Sequence, residues 1–248
     1  MFNYKVFVAE LIGTFALVFV GAAVGMYNAG LLAVALAHGL TLAVFAYTYG
    51  HISGTHINPA VTFGLALNGT IQWGEAAVYW VGQFAGAVLA GFALNAVVGV
   101  VNAEAFAAAQ TTGVLTENFP YYALGVEALL TFFLVTVVLH TAVAGKAGPF
   151  AGWAIGTTLA IAILAGGPLT GASLNPARTF GPAAVAGAAQ NGMMYLIYFL
   201  GPLLGSAIAV GAYRLLEPVD LGPDLEPIPD IDEAPVDEDD DELEEAQR

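Results

Sequence analysis

Apolar positions in this chain do not alternate with polar ones at a strand or surface-helix period; they run on in long blocks. Residues 6–27, 31–50, 76–101, 121–143, 150–166 and 193–216 form six such blocks. Each approaches or exceeds the roughly 20 residues that a helix needs to cross a hydrocarbon core of about 30 Å. Six membrane-spanning helices are therefore predicted. The first block is too long for a signal peptide and contains Glu10, so it reads as a span. Two other apolar segments, 58–68 and 175–187, are about ten residues long, roughly 15 Å of helix. That is half a bilayer. Each opens with helix-start signals, Asn58 then Pro59 and Asn175 then Pro176, with Asn suited to the cap and Pro to the first helical position. The stretches leading into them, 51–57 and 166–174, read as irregular. Irregular backbone at membrane depth is tolerated only inside protein or beside a wet cavity. Two half-helices meeting head to head across a wet path satisfy that condition.

The two halves of the chain repeat. Glu10, Thr14 and Phe15 match Glu127, Thr131 and Phe132 at an offset of 117. Gly39, Thr41, Leu42 and Ala43 match Gly156, Thr158, Leu159 and Ala160, and Gly54 matches Gly171. Asn58-Pro59-Ala60 with Thr62-Phe63-Gly64 matches Asn175-Pro176-Ala177 with Thr179-Phe180-Gly181. Each half holds three spans, an odd number, so the second half enters the membrane inverted. Inverted repeats place a functional site at their interface near the midplane. The repeats divide at about 1–115 and 118–216.

Composition agrees with lipid as the solvent. The chain is 58% hydrophobic and 10% charged, against about 25% charged in soluble domains. The net charge of −15 is local. Residues 217–248 hold fifteen of the twenty acids and one base, Arg248, for −14, which leaves −1 on residues 1–216. The tail is rich in Pro, Asp and Glu and is expected to be disordered and solvated. Such acidity suits a prokaryotic, high-salt source. Lys5, Lys146 and Arg214 fall on one side of a six-span body, which assigns both termini to the cytoplasm. There is no cysteine, so thiol and disulfide chemistry are excluded.

The paired Asn-Pro-Ala motifs, the run Gly50-His51-Ile52-Ser53-Gly54 with His56 before the first, Arg178 after the second, and Glu10 and Glu127 opening spans one and four resemble the aquaporin, or major intrinsic protein, family. The resemblance covers residues 5–216. It implies an all-α membrane fold of six tilted helices plus two re-entrant half-helices, a channel in each subunit of a homotetramer, and the plasma membrane as location. Water would pass in single file by the amides of Asn58 and Asn175. The two half-helix N-termini would make the midplane positive, repelling cations and interrupting a proton wire.

Arg178 is the only base deep in the apolar body, an expensive placement that marks function. The resemblance makes it one wall of an outer constriction. Counting from each Asn, its partners are His38, Ile163 and Ala172. Strict water channels carry Phe and His at the first two positions. The set His38, Ile163, Ala172 and Arg178 is similar to that of some plant tonoplast-type members, and predicts an opening that admits ammonia or small amides as well as water. Thr179 and Ala183 lack the acid and base of glycerol channels, and Tyr198-Phe199 is the aromatic pair of water channels. So two markers favour water while the constriction is permissive.

Glu10 and Glu127 are read as acceptors for backbone N–H groups of the loops before the half-helices, with Thr14 and Thr131 one turn on as helpers. His56 is read as loop-supporting or pore-lining, and His51 likewise. Neither belongs to a metal-ligand cluster, and no cofactor is called for. Gly82/Gly86 and Gly201/Gly205 permit close helix approach, and Gln83 suits a helix–helix contact. No nucleophile–base constellation suggests an enzyme, and nothing suggests nucleic-acid binding. The competing readings are a broader facilitator for ammonia, urea or glycerol, a secondary transporter, and a junction protein with a closed pore.

Overall fold

The computed structural model describes residues 3–99, 106, 109–189 and 191–216. The acidic tail, 217–248, lies outside them, as does the predicted end of the third span at 100–101. The described residues are helical, with six helices long and apolar enough to cross a membrane: α1 Tyr4–Met26, α2 Leu31–Ser53, α4 Trp73–Val98, α5 Pro120–Val143, α6 Gly148–Thr170 and α8 Gly192–Leu216. Two short helices stand between them, α3 Pro59–Asn68 and α7 Pro176–Val185. The outer faces of the long helices keep large apolar side chains exposed, among them Val44, Val81, Phe92, Leu129, Ile161 and Ile208. That is the surface of a protein solvated by lipid.

Both short helices start as their local sequence dictates. Asn58 and Asn175 are N-caps in extended conformation with Pro at the first helical position. Asn58 Oδ1 accepts from Ala60 N at 2.9 Å, and Asn175 Oδ1 accepts from Ala177 N at 3.0 Å and Arg178 N at 3.1 Å.

The long helices pair as α1 on α4, α5 on α8 and α2 on α6. Glycine permits each approach. A side chain at Gly82 would meet Phe7 O, and one at Gly86 Leu11 O; at Gly201 and Gly205 it would meet Leu124 O and Ala128 O. Gly39 and Gly156 face each other's carbonyl where α2 crosses α6. The Gly-x-x-x-Gly pairs are packing devices, since small residues let helix backbones close together in lipid.

The segments 51–57 and 166–174 are shorter as loops than the sequence suggests. α2 continues through His51 to Ser53 and α6 through Pro168 to Thr170. Both stop at the matched glycines: Gly54 and Gly171 are left-handed, at φ 77° and 81°, and donate back to Gly50 O at 2.9 Å and Gly167 O at 2.8 Å. Glycine populates that region without a Cβ penalty. The segment after Thr111 docks on this last turn and satisfies carbonyls left open at the helix end: Val114 N donates to Pro168 O at 3.1 Å and Leu115 N to Leu169 O at 2.9 Å.

Candidate functional site

The loops before the half-helices carry strain, and the buried acids hold it. Thr55 and Ile57 have positive φ (52° and 40°), as do Ala172 and Leu174 (42° and 56°). For residues with a Cβ this conformation costs about 1–2 kcal/mol each. Such backbone persists only where its surroundings over-determine it. Glu10 supplies that hold in one half: Oε1 accepts from Ser53 Oγ at 2.7 Å and His56 N at 2.9 Å, and Oε2 from Ile57 N at 2.6 Å. Glu127 repeats it: Oε1 accepts from Thr170 Oγ1 at 2.7 Å and Ser173 N at 2.9 Å, and Oε2 from Leu174 N at 2.7 Å. Both carboxylates are fully buried. The helper role for the threonines does not hold. Thr131 donates to Glu127 O of its own helix at 2.7 Å, the usual back-bond of a mid-helix hydroxyl. Thr14 Oγ1 has no hydrogen-bond partner among the described residues.

The halves differ at one point. Gln83 donates to Glu10 Oε2 at 2.7 Å and to Thr62 Oγ1 at 2.8 Å, so its helix–helix contact runs through the acid. Gly82 and Gly86 match Gly201 and Gly205 at an offset of 119, which makes its counterpart Pro202, a residue with no side chain to do this. Tyr79 and Tyr198 are matched: each hydroxyl donates to the carbonyl of the residue ending the preceding long helix, Ser53 O at 2.8 Å and Thr170 O at 2.6 Å. Tyr198 is thus an anchor, while Phe199 packs against Phe84 and Phe180.

With both loops fixed, the caps meet. Asn58 Nδ2 donates to Leu174 O at 2.8 Å, and Asn175 Nδ2 donates to Ile57 O at 2.8 Å. The bonds are reciprocal and join the half-helices head to head. A carboxamide has two N–H donors; one on each Asn is spent here and the other remains for a ligand. Pro59, Ala60, Pro176 and Ala177 are buried behind the caps. Ser206 Oγ donates to Ala60 O at 2.7 Å and ties the first motif to α8.

Asn58 and Asn175 line a cavity of about 390 Å³. Its walls are apolar stripes at helical spacing: Leu134, Val138 and Ala142 on α5, Ile155 and Leu159 on α6, and Leu42 and Ala46 on α2. His38 and Arg178 line it as well. His56 lines it too, its ring stacked on Tyr79 at 4.3 Å and its Nδ1 3.1 Å from Thr62 Oγ1. Ile163 continues the α6 stripe one turn on, but it and Ala172 are fully buried and stand outside the lining residues. His51, in the last turn of α2, is exposed.

His38 and Arg178 form a unit. His38 Nδ1 lies 2.9 Å from Val34 O, which can only accept, so Nδ1 carries the hydrogen and Nε2 is an acceptor. Arg178 Nε donates to that Nε2 at 3.3 Å, and Nη1 donates to Thr111 Oγ1 at 2.6 Å. Thr179 Oγ1 donates to the same hydroxyl at 3.1 Å. Both imidazole nitrogens are therefore engaged, and His38 turns carbon rather than a free nitrogen toward the cavity. Among the described residues, the remaining guanidinium hydrogens have no partner and are the polar groups of this pair available to a solute. Sequence reasoning does not find Thr111, which has no counterpart in the repeat. Ser53 and Thr170 do carry a signal, as hydroxyl residues at the repeat offset.

Six apolar spans, two capped half-helices joined by their Asn side chains and a cavity along that junction define a multi-pass membrane channel. The family model described as MIP, major intrinsic protein, matches residues 1–213. Aquaporin TIP1-2 of Zea mays is 40% identical over 226 residues, covering 86% of this chain and 85% of that protein. Glycerol uptake facilitator protein-like 6 of Lactiplantibacillus plantarum is 39% identical over 216 residues, covering 85% and 97%. The aquaglyceroporin from Plasmodium falciparum superposes with a TM-score of 0.74 at 22% identity, over 86% of this chain and 96% of that one, a likeness of fold. The chain belongs to the major intrinsic protein family, and as a member of that family of channels it is not an enzyme.

Proposed function

We propose that this chain is a passive, proton-excluding channel for water that also passes ammonia and other small neutral solutes. The observation that carries the reading is the reciprocal pair Asn58 Nδ2 to Leu174 O and Asn175 Nδ2 to Ile57 O inside an apolar cavity. It leaves one amide N–H on each Asn for a water oxygen between the apolar stripes of α2, α5 and α6. The N-termini of α3 and α7 meet at the same place, and each is worth about half a positive charge. A water there is turned oxygen-inward by both, which breaks a hydrogen-bonded proton path and repels cations.

Solute choice is assigned to His38 and Arg178, which line the cavity, whereas Ile163 and Ala172, expected from the sequence to complete the ring, are buried outside its lining. An imidazole whose nitrogens are both engaged offers a solute little polar contact, which supports a permissive rather than a strict water filter. Relatives whose names read aquaporin and glycerol uptake facilitator are compatible with either. Osmotic swelling of proteoliposomes in ammonia, urea and glycerol separates the two: a strict water channel leaves all three at the level of empty vesicles. The site residues act within one subunit, a homotetramer in the plasma membrane is what the family resemblance implies, and Lys5, Lys146 and Arg214 support cytoplasmic termini.

A further inference from the structure

Gly21 is buried on α1, where glycine is a poorer helix residue than alanine. Its surroundings differ from those of the packing glycines. At Gly39, Gly86 and Gly205 the atom nearest to an added Cβ is a backbone carbonyl of a neighbouring helix. At Gly21 the three nearest atoms all belong to one side chain: Nε2, Cε1 and Cδ2 of His38. The missing methyl is thus a recess for an imidazole and not a helix-crossing point. His38 is 2% exposed. It is tied to Val34 O on one side and to Arg178 Nε on the other, and it lines the cavity. Gly21 itself does not line the cavity.

We propose that Gly21 is the positioning residue that sets the bore of the outer ring, by giving the His38 ring a place to lie back from the pore axis. This rests on the reading of His38 and Arg178 as the pore's outer wall. A methyl at position 21 overlaps the ring, the ring cannot move into Val34 or through α1, and the cavity is the open space left to it. Drawing Nε2 away also breaks the hydrogen bond from Arg178, so the guanidinium loses one of its two anchors.

The test is water permeability of proteoliposomes carrying wild type, Gly21→Ala, His38→Ala and Gly21→Ala/His38→Ala, with helicity and detergent gel filtration as the check on folding. Gly21→Ala is expected to lower water flux at least threefold, and the double variant to return to the His38→Ala level. A structural role in α1 packing would not be rescued by removing a ring. Wild-type flux in Gly21→Ala overturns the proposal, and so does a double variant that stays as low as Gly21→Ala. If Gly21→Ala does not fold, a folded and conducting double variant supports the proposal and a misfolded one overturns it. A wild type no faster than empty vesicles overturns the pore reading itself, and the role of Gly21 with it.

Discussion

Arg178 reaches His38 through Nε at 3.3 Å, and the same guanidinium reaches Thr111 through Nη1 at 2.6 Å. Both of these partners are neutral, so neither cancels the guanidinium charge beside the cavity. A buried cation of this kind is expensive unless it serves a pathway, and there it raises the barrier to other cations. Arg178→Val is expected to keep water flux within about twofold while raising proton and cation leak severalfold, measured with a pH-sensitive dye in vesicles under a gradient. Unchanged leak would remove Arg178 from the filter.

His38→Phe replaces a tied-back ring with a larger one that has no nitrogen for Val34 O or Arg178 Nε. The ring is freed toward the cavity, so urea and ammonia flux should fall severalfold relative to water. Equal ratios in variant and wild type would mean that His38 does not border the path.

Thr111→Val keeps the shape of the side chain and removes the acceptor for Arg178 Nη1 and Thr179 Oγ1. Solute-to-water permeability ratios are expected to shift at least twofold, and Thr111→Ser, which keeps the hydroxyl, to restore them. A valine variant with wild-type ratios would reduce Thr111 to a packing residue.

Glu10→Gln and Glu127→Gln each turn an amide NH₂ toward buried N–H donors. One unsatisfied buried donor costs about 1–3 kcal/mol, and the loops held here also carry strained φ angles at Ile57 and Leu174. Both variants should unfold at lower temperature and conduct less, because Glu127→Gln keeps one acceptor oxygen and loses the bond from either Ser173 N or Leu174 N, which are held by different carboxylate oxygens. Thermal denaturation matching wild type would show that the loops stand without the acids.

Removing residues 217–248 takes away −14 of charge and leaves in place every cavity-lining residue named above. If the tail is a solvated appendage, water flux per channel is unchanged. A truncation that alters flux would make it a regulator.

The parts of this site that are local in sequence are legible in it. Asn58 and Asn175 announce helix starts through the Pro that follows, because cap and first-turn preferences depend on neighbours only. The register of 117 residues points to Glu10 and Glu127 as equivalent, and the acceptor role read for them is the one the hydrogen bonds display. Helix ends are less legible: Gly50 and Gly166 look like stops, yet α2 and α6 run on to Ser53 and Thr170, since the tyrosines and acids that bind those last turns lie far along the chain. Thr111 and Gly21 are not legible. The first sits in a segment with no repeat mate, and the second matters through a side chain on another helix. Thr14 misleads because its spacing from Glu10 is right for contact while its hydroxyl finds no partner among the described residues.

The central claim is conduction of water without protons past Asn58 and Asn175. Stopped-flow shrinkage of proteoliposomes under an osmotic step, run beside a proton-leak assay on the same vesicles, tests it most directly. Water permeability at least fivefold above empty vesicles is expected, with no added proton leak and, because the chain has no cysteine, no loss on treatment with mercurials. Shrinkage at the rate of empty vesicles, or water flux accompanied by proton leak, would contradict it.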